Sequence, residues 1–390
     1  MISDFSKYDI INGLTDDAKV INELSSYTKN TFSSRWHSVH SYREPLPDEP
    51  YVSTWMNYYN QSKQIGVYET LKSHLIQFRF PILKDISQTQ AYKDATLRGK
   101  CTRNMPSASG LKLENPNALT LKIHRSIAGK IPVLIVTNDE DFVSIVRALS
   151  CKNEPMTIPK SMGAAMISGL SNWSRIHCLR KKWIGKNPFG NWNRAFSKYI
   201  IPNTSLYQDK LIVLSKKDYS GLNAHALQLS PQKWKTCSLT IRLEHECAHF
   251  FTQRYFGSMA NNMHDELIAD YAGISKVCGR FDPNWFLSFI GLENYPKYRS
   301  GARLENYLGD PPLSNEAFDI LKVIIKKATI NVAKFDEKCN ARSFPDKITD
   351  RLLTLCAFDL LEMASVDGPK KLWSYHTNNY ERKLKSTTKL

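Results

Sequence analysis

The most specific chemical signal in the sequence is a five-residue segment in which two histidines enclose a glutamate, His245-Glu246-Cys247-Ala248-His249. On an α-helix two residues four apart lie on one face, about 6 Å apart along the axis, so both imidazoles can reach one metal ion. Glu246 lies beside that face, where its carboxylate can deprotonate a water for metal-assisted hydrolysis. The spacing therefore predicts a zinc (Zn²⁺) site with ligands His245 and His249 and with Glu246 as the catalytic base.

A second helical segment, residues 262–279, offers the third ligand that such a site needs. Two histidines and a water leave a tetrahedral zinc one protein ligand short. Glu266 and Asp270 are four residues apart in this segment and share a helix face. We expect Glu266 to bind the metal and Asp270 to accept the second ring N–H of a ligating histidine. His264 and Asp265 are the alternatives for the third ligand.

These two segments together carry a family resemblance. His-Glu-Cys-Ala-His followed by Glu-Leu-Ile-Ala-Asp resembles the gluzincin zinc metallopeptidases, whose second helix carries a Glu-x-x-x-Asp motif, over roughly 35 residues. The resemblance implies that His245, His249 and Glu266 bind zinc, that Glu246 is the general base, and that Asp270 supports a ligand. It also implies a peptide or protein substrate.

Two neighbouring positions narrow the resemblance. The metzincin branch would need glycine and histidine where this chain has Thr252 and Tyr255, so that branch is excluded. The stretch 158–310 also resembles an uncharacterised bacterial family of HExxH proteins, which implies no particular substrate.

A catalytic site of this kind also needs a donor that stabilises the oxyanion, and the sequence leaves its identity open. The donor should be a His, Tyr or Arg that faces the metal from another element. Each candidate is, taken alone, more typical of a surface or core-edge position than of a catalytic one. The candidates are His264, Tyr219, His225, Tyr271, Arg299 and Arg303.

The formal net charge of +16 allows a different kind of function. Such an excess attracts nucleic acid or an acidic protein surface. The run Arg180-Lys181-Lys182 beside Trp183 is more typical of a solvated helix end than of a binding site. A basic nucleic-acid-binding regulator is therefore an alternative to the hydrolase, and a non-peptidase or structural zinc protein is another.

Cysteine spacing and hydropathy favour a cytoplasmic protein. None of the eight cysteines forms a Cys-x-x-Cys pair, which fits a reducing compartment. The first residues have neither a basic nor an apolar signal region, and no stretch approaches the roughly 18 apolar residues of a spanning helix. We expect no membrane association.

The elements that must position these side chains predict an α+β fold. We expect a mainly helical chain with a small mixed sheet, in which a zincin-like metal helix is followed by a helical C-terminal region. The predicted divisions are a helical region over 1–103, a mixed region over 118–235 and a helical region with the metal site over 236–390, with a loop over 104–117.

Within these regions the sequence predicts individual elements. Residues 118–126 and 132–136 should form a hairpin, and 210–214 should form a strand. The zincin resemblance implies that a sheet edge beside the metal helix aligns extended substrate, and the strand at 210–214 is the candidate for that edge. The predicted helices are Asp16–Lys29, Asp139–Ser150, Ser161–Leu179, the metal helix Ser238–Gly257, and the helix within Asn262–Gly279.

Overall fold

The computed structural model describes residues 10–32, 46–259, 262–341 and 347–387, with the side chains beyond 381 excepted. The chain forms two compact units. The sheet unit comprises Pro45–Lys217, and the helical unit comprises Met1–Glu44 with Asp218–Leu390. The predicted divisions at 103, 118 and 235 do not coincide with the limits of these units. Helices predominate and one small mixed sheet is present, which confirms the α+β prediction.

The described part of the sheet unit contains a four-stranded sheet in the order β1-β2-β4-β3. Strands β1 and β2 pair antiparallel, β2 and β4 pair parallel, and β3 and β4 pair antiparallel. The predicted hairpin is confirmed as β1 and β2, and the predicted strand at 210–214 lies within β4. The bounds are β1 Thr120–Ser126, β2 Gly129–Val136, β3 Ala164–Ser171 and β4 Gln208–Ser215.

Helices cover the sheet and share one core with it. Trp55, Phe78 and Phe142 are fully buried there, together with Leu134 of β2 and Val213 of β4. The helices of this unit are α2 Tyr51–Ile65, α3 Val67–His74, α4 Gln90–Arg98, α5 Asp139–Ser150, α6 Trp173–Lys186 and α7 Trp192–Ala195. Helix α5 has the predicted bounds, because Asn138 caps its first turn through the Asp141 N–H.

Two expectations about this unit are wrong. Strand β4 lies between β2 and β3, so both of its edges are already paired and it cannot align substrate by strand addition. The predicted helix Ser161–Leu179 is instead strand β3 followed by helix α6. An irregularity in the β3 ladder between Ile167 and Leu170 includes Gly169 at φ +74°, and the side chain of Asn172 caps α6.

The described part of the helical unit consists mainly of α-helices. Helix α8, Pro231–Phe256, begins earlier than predicted because Ser230 caps it and Pro231 occupies its first turn, while Gly257 ends it in the left-handed conformation. The predicted helix at 262–279 is confirmed as α9. The bounds are α1 Ala18–Tyr27, α8 Pro231–Phe256, α9 Met263–Cys278, α10 Pro283–Ile290, α11 Asn315–Asn340, α12 Ile348–Ala357, α13 Leu360–Ala364 and α14 Gly368–Thr387.

Helices α8 and α9 pack closely against each other at Gly273. A Cβ atom at Gly273 would lie 2.7 Å from the backbone oxygen of Ile241, which is closer than real Cβ contacts allow. Ile241 lies one turn before His245, so this close approach occurs next to the candidate metal ligands.

Hydropathy gives one further result. Among the described helices, none combines the length and the apolar character that crossing a bilayer would demand.

Candidate metal centre

The candidate metal ligands lie where helices α8 and α9 face each other. Both histidines come from α8 and the carboxylate comes from the first turn of α9. His245 and His249 are each 7% exposed and Glu266 is 4% exposed. The ligand atoms of the three residues lie within 4.8 Å of one another, so the structure brings together the ligand set expected from the spacing.

The distances between these atoms fit a small tetrahedral ion. The Nε2 atoms of His245 and His249 are 3.0 Å apart. The two carboxylate oxygens of Glu266 lie 3.6 Å from His245 Nε2 and 3.4 Å from His249 Nε2. Ligands held about 2.0–2.1 Å from a tetrahedral zinc would be separated by roughly 3.3–3.4 Å. The donor set of two imidazoles and one carboxylate also suits zinc.

Asp270 holds the second ring nitrogen of His245. Its Oδ1 lies 2.8 Å from His245 Nδ1 and also accepts a hydrogen bond of 2.5 Å from the Tyr219 hydroxyl. A proton on Nδ1 would leave Nε2 free, so the carboxylate favours the His245 tautomer that is able to bind a metal. Asp270 therefore makes the contact with a histidine ring nitrogen that the sequence predicts for it.

Asp270, Tyr219 and Arg303 form a group around His245 that we call the supporting group. Arg303 joins it from the short helical segment Arg303–Tyr307. One end of its guanidinium pairs with Asp270, and the other donates a 2.7 Å hydrogen bond to the Tyr219 hydroxyl. The guanidinium also lies 3.9 Å from Glu266. Of the six donor candidates, Arg303 and Tyr219 are therefore the two that contact the supporting group, with Tyr219 on the Nδ1 side of His245.

Asp265 lies beside the second ring nitrogen of His249, as Asp270 does beside that of His245. Its Oδ2 lies 3.6 Å from His249 Nδ1, beyond hydrogen-bond distance. In the described structure neither oxygen of Asp265 has a hydrogen-bond partner, and neither has His249 Nδ1, although all three atoms are buried. Each histidine thus has a carboxylate behind its second ring nitrogen, and Asp265 lies behind His249 rather than among the three ligands.

Glu266, Asp270 and His249 are buried, yet the charges around them stabilise their ionised forms. Burial alone would raise the pKa of Glu266, but His245, His249 and Arg303 lower it far below its usual range. Burial also opposes ionisation of Asp270, and Arg303 with His245 nevertheless lowers its pKa. Burial would lower the pKa of His249, whereas Asp265 and Glu266 raise it well above its ordinary value. Acidic groups thus favour a cation at the histidines.

Two tyrosines that the sequence analysis missed lie next to Glu266. The Tyr27 hydroxyl donates to the backbone oxygen of Tyr307 over 2.7 Å and accepts from the Met263 N–H over 3.0 Å. Burial, followed by the charge of Glu266, raises the pKa of Tyr307 far above its usual range. Tyr27 and Tyr307 are 280 positions apart, so no local pattern could have revealed that they meet.

Glu246 follows His245 on α8 and is half-buried. Arg242 lies one turn before it on the helix, and the charge of Glu246 raises the pKa of Arg242 against the larger, opposing effect of burial. Within the described structure the Glu246 carboxylate makes no hydrogen bond or ion pair.

The other donor candidates lie with different partners. His264 is buried, with Nε2 3.3 Å from the Leu355 backbone oxygen. The Tyr271 hydroxyl donates to Asp336, and Arg299 contacts Glu293 and the backbone oxygen of Ser288. His225 is an exposed residue in the short helical segment Ala224–Leu227.

Comparison with known proteins places the chain in a family. No curated protein and no solved structure matches it. A family of unknown function, DUF7005, matches residues 9–367, which is most of the 390 residues. The chain therefore belongs to the DUF7005 family.

Proposed function

We propose that the protein is a zinc-dependent hydrolase that cleaves peptide bonds in a peptide or protein substrate. The observation that carries the proposal is the convergence of His245, His249 and Glu266, with ligand atoms within 4.8 Å of one another, in a buried place. The carboxylates behind the second ring nitrogens of both histidines add support, because such groups orient ligands and increase their basicity. The peptide class of substrate rests on the gluzincin resemblance of the two helices.

In this proposal the side chains divide the work. When bound, zinc would supply Lewis acidity at the reacting carbonyl. Glu246 takes a proton from the attacking water and returns it to the leaving amine. Arg303 and Tyr219 hold Asp270, which keeps His245 in the metal-binding tautomer. Arg303, whose guanidinium lies 3.9 Å from Glu266, and Tyr307, whose pKa burial and the charge of Glu266 raise, are the candidates for stabilising negative charge during the reaction.

The number of ligands favours a catalytic role for the metal over a structural one. A structural zinc is closed by four protein ligands, whereas a catalytic zinc keeps one position open. Among the described residues the cluster comprises three ligand residues. A non-peptidase hydrolase would use the same three ligands, and substrate profiling separates it from a peptidase.

The free cysteines bear on location. None of the eight cysteines forms a disulfide bond, which is typical of a reducing compartment. We therefore retain the cytoplasm as the proposed location.

The decisive experiment is elemental analysis of protein purified without a chelator or a histidine tag. We expect about one zinc per chain in the wild type and in Glu246→Gln, and loss of most of the zinc in Glu266→Ala. Cleavage of a peptide library should then fall by roughly 10²–10⁴-fold in Glu246→Gln, because the general base is lost while the metal stays.

Each result has a distinct meaning. A wild type that carries no zinc even after zinc is supplied would refute the metal site. Zinc retention by Glu266→Ala would refute the third ligand alone. A zinc-loaded wild type that cleaves ester or amide substrates but no peptide would replace the peptidase with another hydrolase.

A further inference from the structure

The sheet unit carries a strongly basic segment that the proposed hydrolase does not use. From residue 155 to residue 208 the sequence contains no aspartate or glutamate. The same stretch holds eight basic residues, namely Lys160, Arg175, Arg180, Lys181, Lys182, Lys186, Arg194 and Lys198. Most of them lie in the segment Trp173–Ile201, which we call the basic hairpin and which comprises α6, α7 and the turn that follows.

Aromatic side chains hold the basic hairpin in a defined shape. The rings of Trp183 in α6 and Trp192 in α7 pack edge to face with centroids 5.8 Å apart. Gly190 makes this contact feasible, because a Cβ there would lie 2.3 Å from the Trp183 ring. Phe196 then packs against both Trp192 and Trp173. The hairpin is thus an ordered scaffold.

The outer surface of this scaffold presents cations beside unburied rings. Phe189, in the turn between α6 and α7, is completely exposed, and Tyr199 is 58% exposed. The Lys198 ammonium lies 5.2 Å from the centroid of the Tyr199 ring. Six basic side chains are exposed and, within the described structure, make no ion pair; they are Arg180, Lys181, Lys182, Lys186, Arg194 and Lys198.

We propose that the basic hairpin binds single-stranded nucleic acid, with the cations on phosphates and with Phe189 and Tyr199 stacked on bases. Backbone-tracking cations combined with exposed aromatic rings are the two features that bind single strands without sequence readout. The absence of acidic residues over 155–208 removes the repulsion that a phosphate backbone would otherwise meet. The surface lies in the sheet unit and does not depend on the metal centre.

The arrangement of charge argues against a membrane surface as the partner. A helix that lies on a bilayer confines its charges to one face. At about 100° per residue, Arg180, Lys181, Lys182 and Lys186 point in directions of about 0°, 100°, 200° and 240° around α6. The charges therefore spread over about 240° of the helix circumference instead of one face, and the exposed apolar residues Ile184, Phe189 and Ile201 alternate with them along the chain.

Fluorescence anisotropy of the full-length protein with labelled 20-nucleotide oligouridine and oligothymidine tests the proposal. Binding should weaken steeply between about 50 and 200 mM salt. Changing Lys181, Lys182 and Lys186 together to serine should reduce the magnitude of the slope of log affinity against log salt by about 2, given about 0.7 per lost phosphate contact. Phe189→Leu, which keeps an apolar side chain but removes the ring, should weaken binding by about fivefold or more.

A charge-matched control is available on helix α11 of the helical unit. Lys327, Lys334 and Lys338 are exposed there, and changing all three to serine should leave most of the affinity intact. Circular dichroism and the unfolding midpoint verify that each variant is folded. Tighter binding of oligouridine than of oligothymidine would identify RNA as the preferred strand, and the reverse order would identify DNA.

Three results would overturn the proposal. The first is no measurable binding to either oligonucleotide. The second is a loss of affinity in the α11 control equal to that in the variant of Lys181, Lys182 and Lys186. The third is full affinity in Phe189→Leu, which would leave only unspecific charge attraction. Capture of the protein by phosphatidylserine vesicles without oligonucleotide binding would make a membrane the partner instead.

Discussion

At the scale of single residues, the most informative side chain in the candidate metal centre is Asp270. It contacts His245, Tyr219 and Arg303 at once and is completely buried. A buried carboxylate in such a position is stable only because cations and donors surround it. Its effect on a bound metal would be indirect, through the orientation and basicity of the His245 imidazole.

We predict that Asp270→Asn lowers zinc affinity by about 10–100-fold without removing a ligand. The amide oxygen can still accept from His245, but the negative charge that makes the imidazole a stronger ligand is lost. Competition with a chromophoric zinc chelator measures the affinity.

Asp336→Asn is the matched control for that change. Asp336 is also buried and bonds a tyrosine and an arginine, Tyr271 and Arg351. This variant should lose thermal stability while zinc affinity stays close to that of the wild type. Equal losses of affinity in both variants would mean that Asp270 acts only through general stability.

The residue scale also shows what the sequence could predict. His245, Glu246 and His249 lie within five positions, and Glu266 and Asp270 within another five, so helical periodicity alone places each group on one face. Tyr27 and Tyr307, whose pKa values burial and the charge of Glu266 raise, belong to elements far apart in the chain. Their meeting depends on tertiary packing, which leaves no local signature in the sequence.

At the scale of elements, the separation of α8 and α9 determines whether the histidines and Glu266 can share an ion. Gly273 permits the closest approach, because any side chain there would meet the backbone of Ile241. We predict that Gly273→Ala destabilises the protein by about 1–3 kcal/mol and weakens zinc binding, since the helices must shift apart. Urea unfolding and chelator competition measure the two effects.

Gly185→Ala in helix α6 is a control for Gly273→Ala, because it adds the same methyl group where there is space for it. A Cβ at Gly185 would meet no atom within 4 Å, so alanine should stabilise the protein by about 0.5–1 kcal/mol through helix propensity. Zinc affinity should not change in this variant. If Gly273→Ala behaved in the same way as Gly185→Ala, the close helix packing would have no part in forming the site.

The elements that the sequence misjudged have a physical explanation as well. Residues 164–167 form a short apolar run whose periodicity does not distinguish a buried strand from a buried helix. In the structure this segment is a strand because it pairs with β4. The same pairing made β4 an inner strand, and neighbour order in a sheet depends on contacts between segments that are distant in sequence.

At the scale of the whole molecule, metal binding should be linked to folding of the helical unit. Both helices of the candidate centre form the interior of that unit, and their facing surfaces place Asp265, Glu266 and Asp270 in buried positions. A bound cation would compensate these buried acidic groups, and a ligand that binds only the folded state shifts the unfolding equilibrium by mass action.

We therefore predict that zinc raises the melting temperature of chelator-treated protein. At a free zinc concentration about 1,000 times the Kd, the expected gain is about 4 kcal/mol, or roughly 8–16 °C for a unit of this size. Magnesium should give no such shift, because it requires an octahedral set of oxygen ligands. In Glu266→Ala most of the zinc-induced rise in melting temperature should be lost, since two histidines alone bind zinc weakly. The control variant Lys327→Ser should keep the full rise. A wild-type melting temperature that responds equally to zinc and magnesium, or to neither, would contradict a specific site at His245, His249 and Glu266.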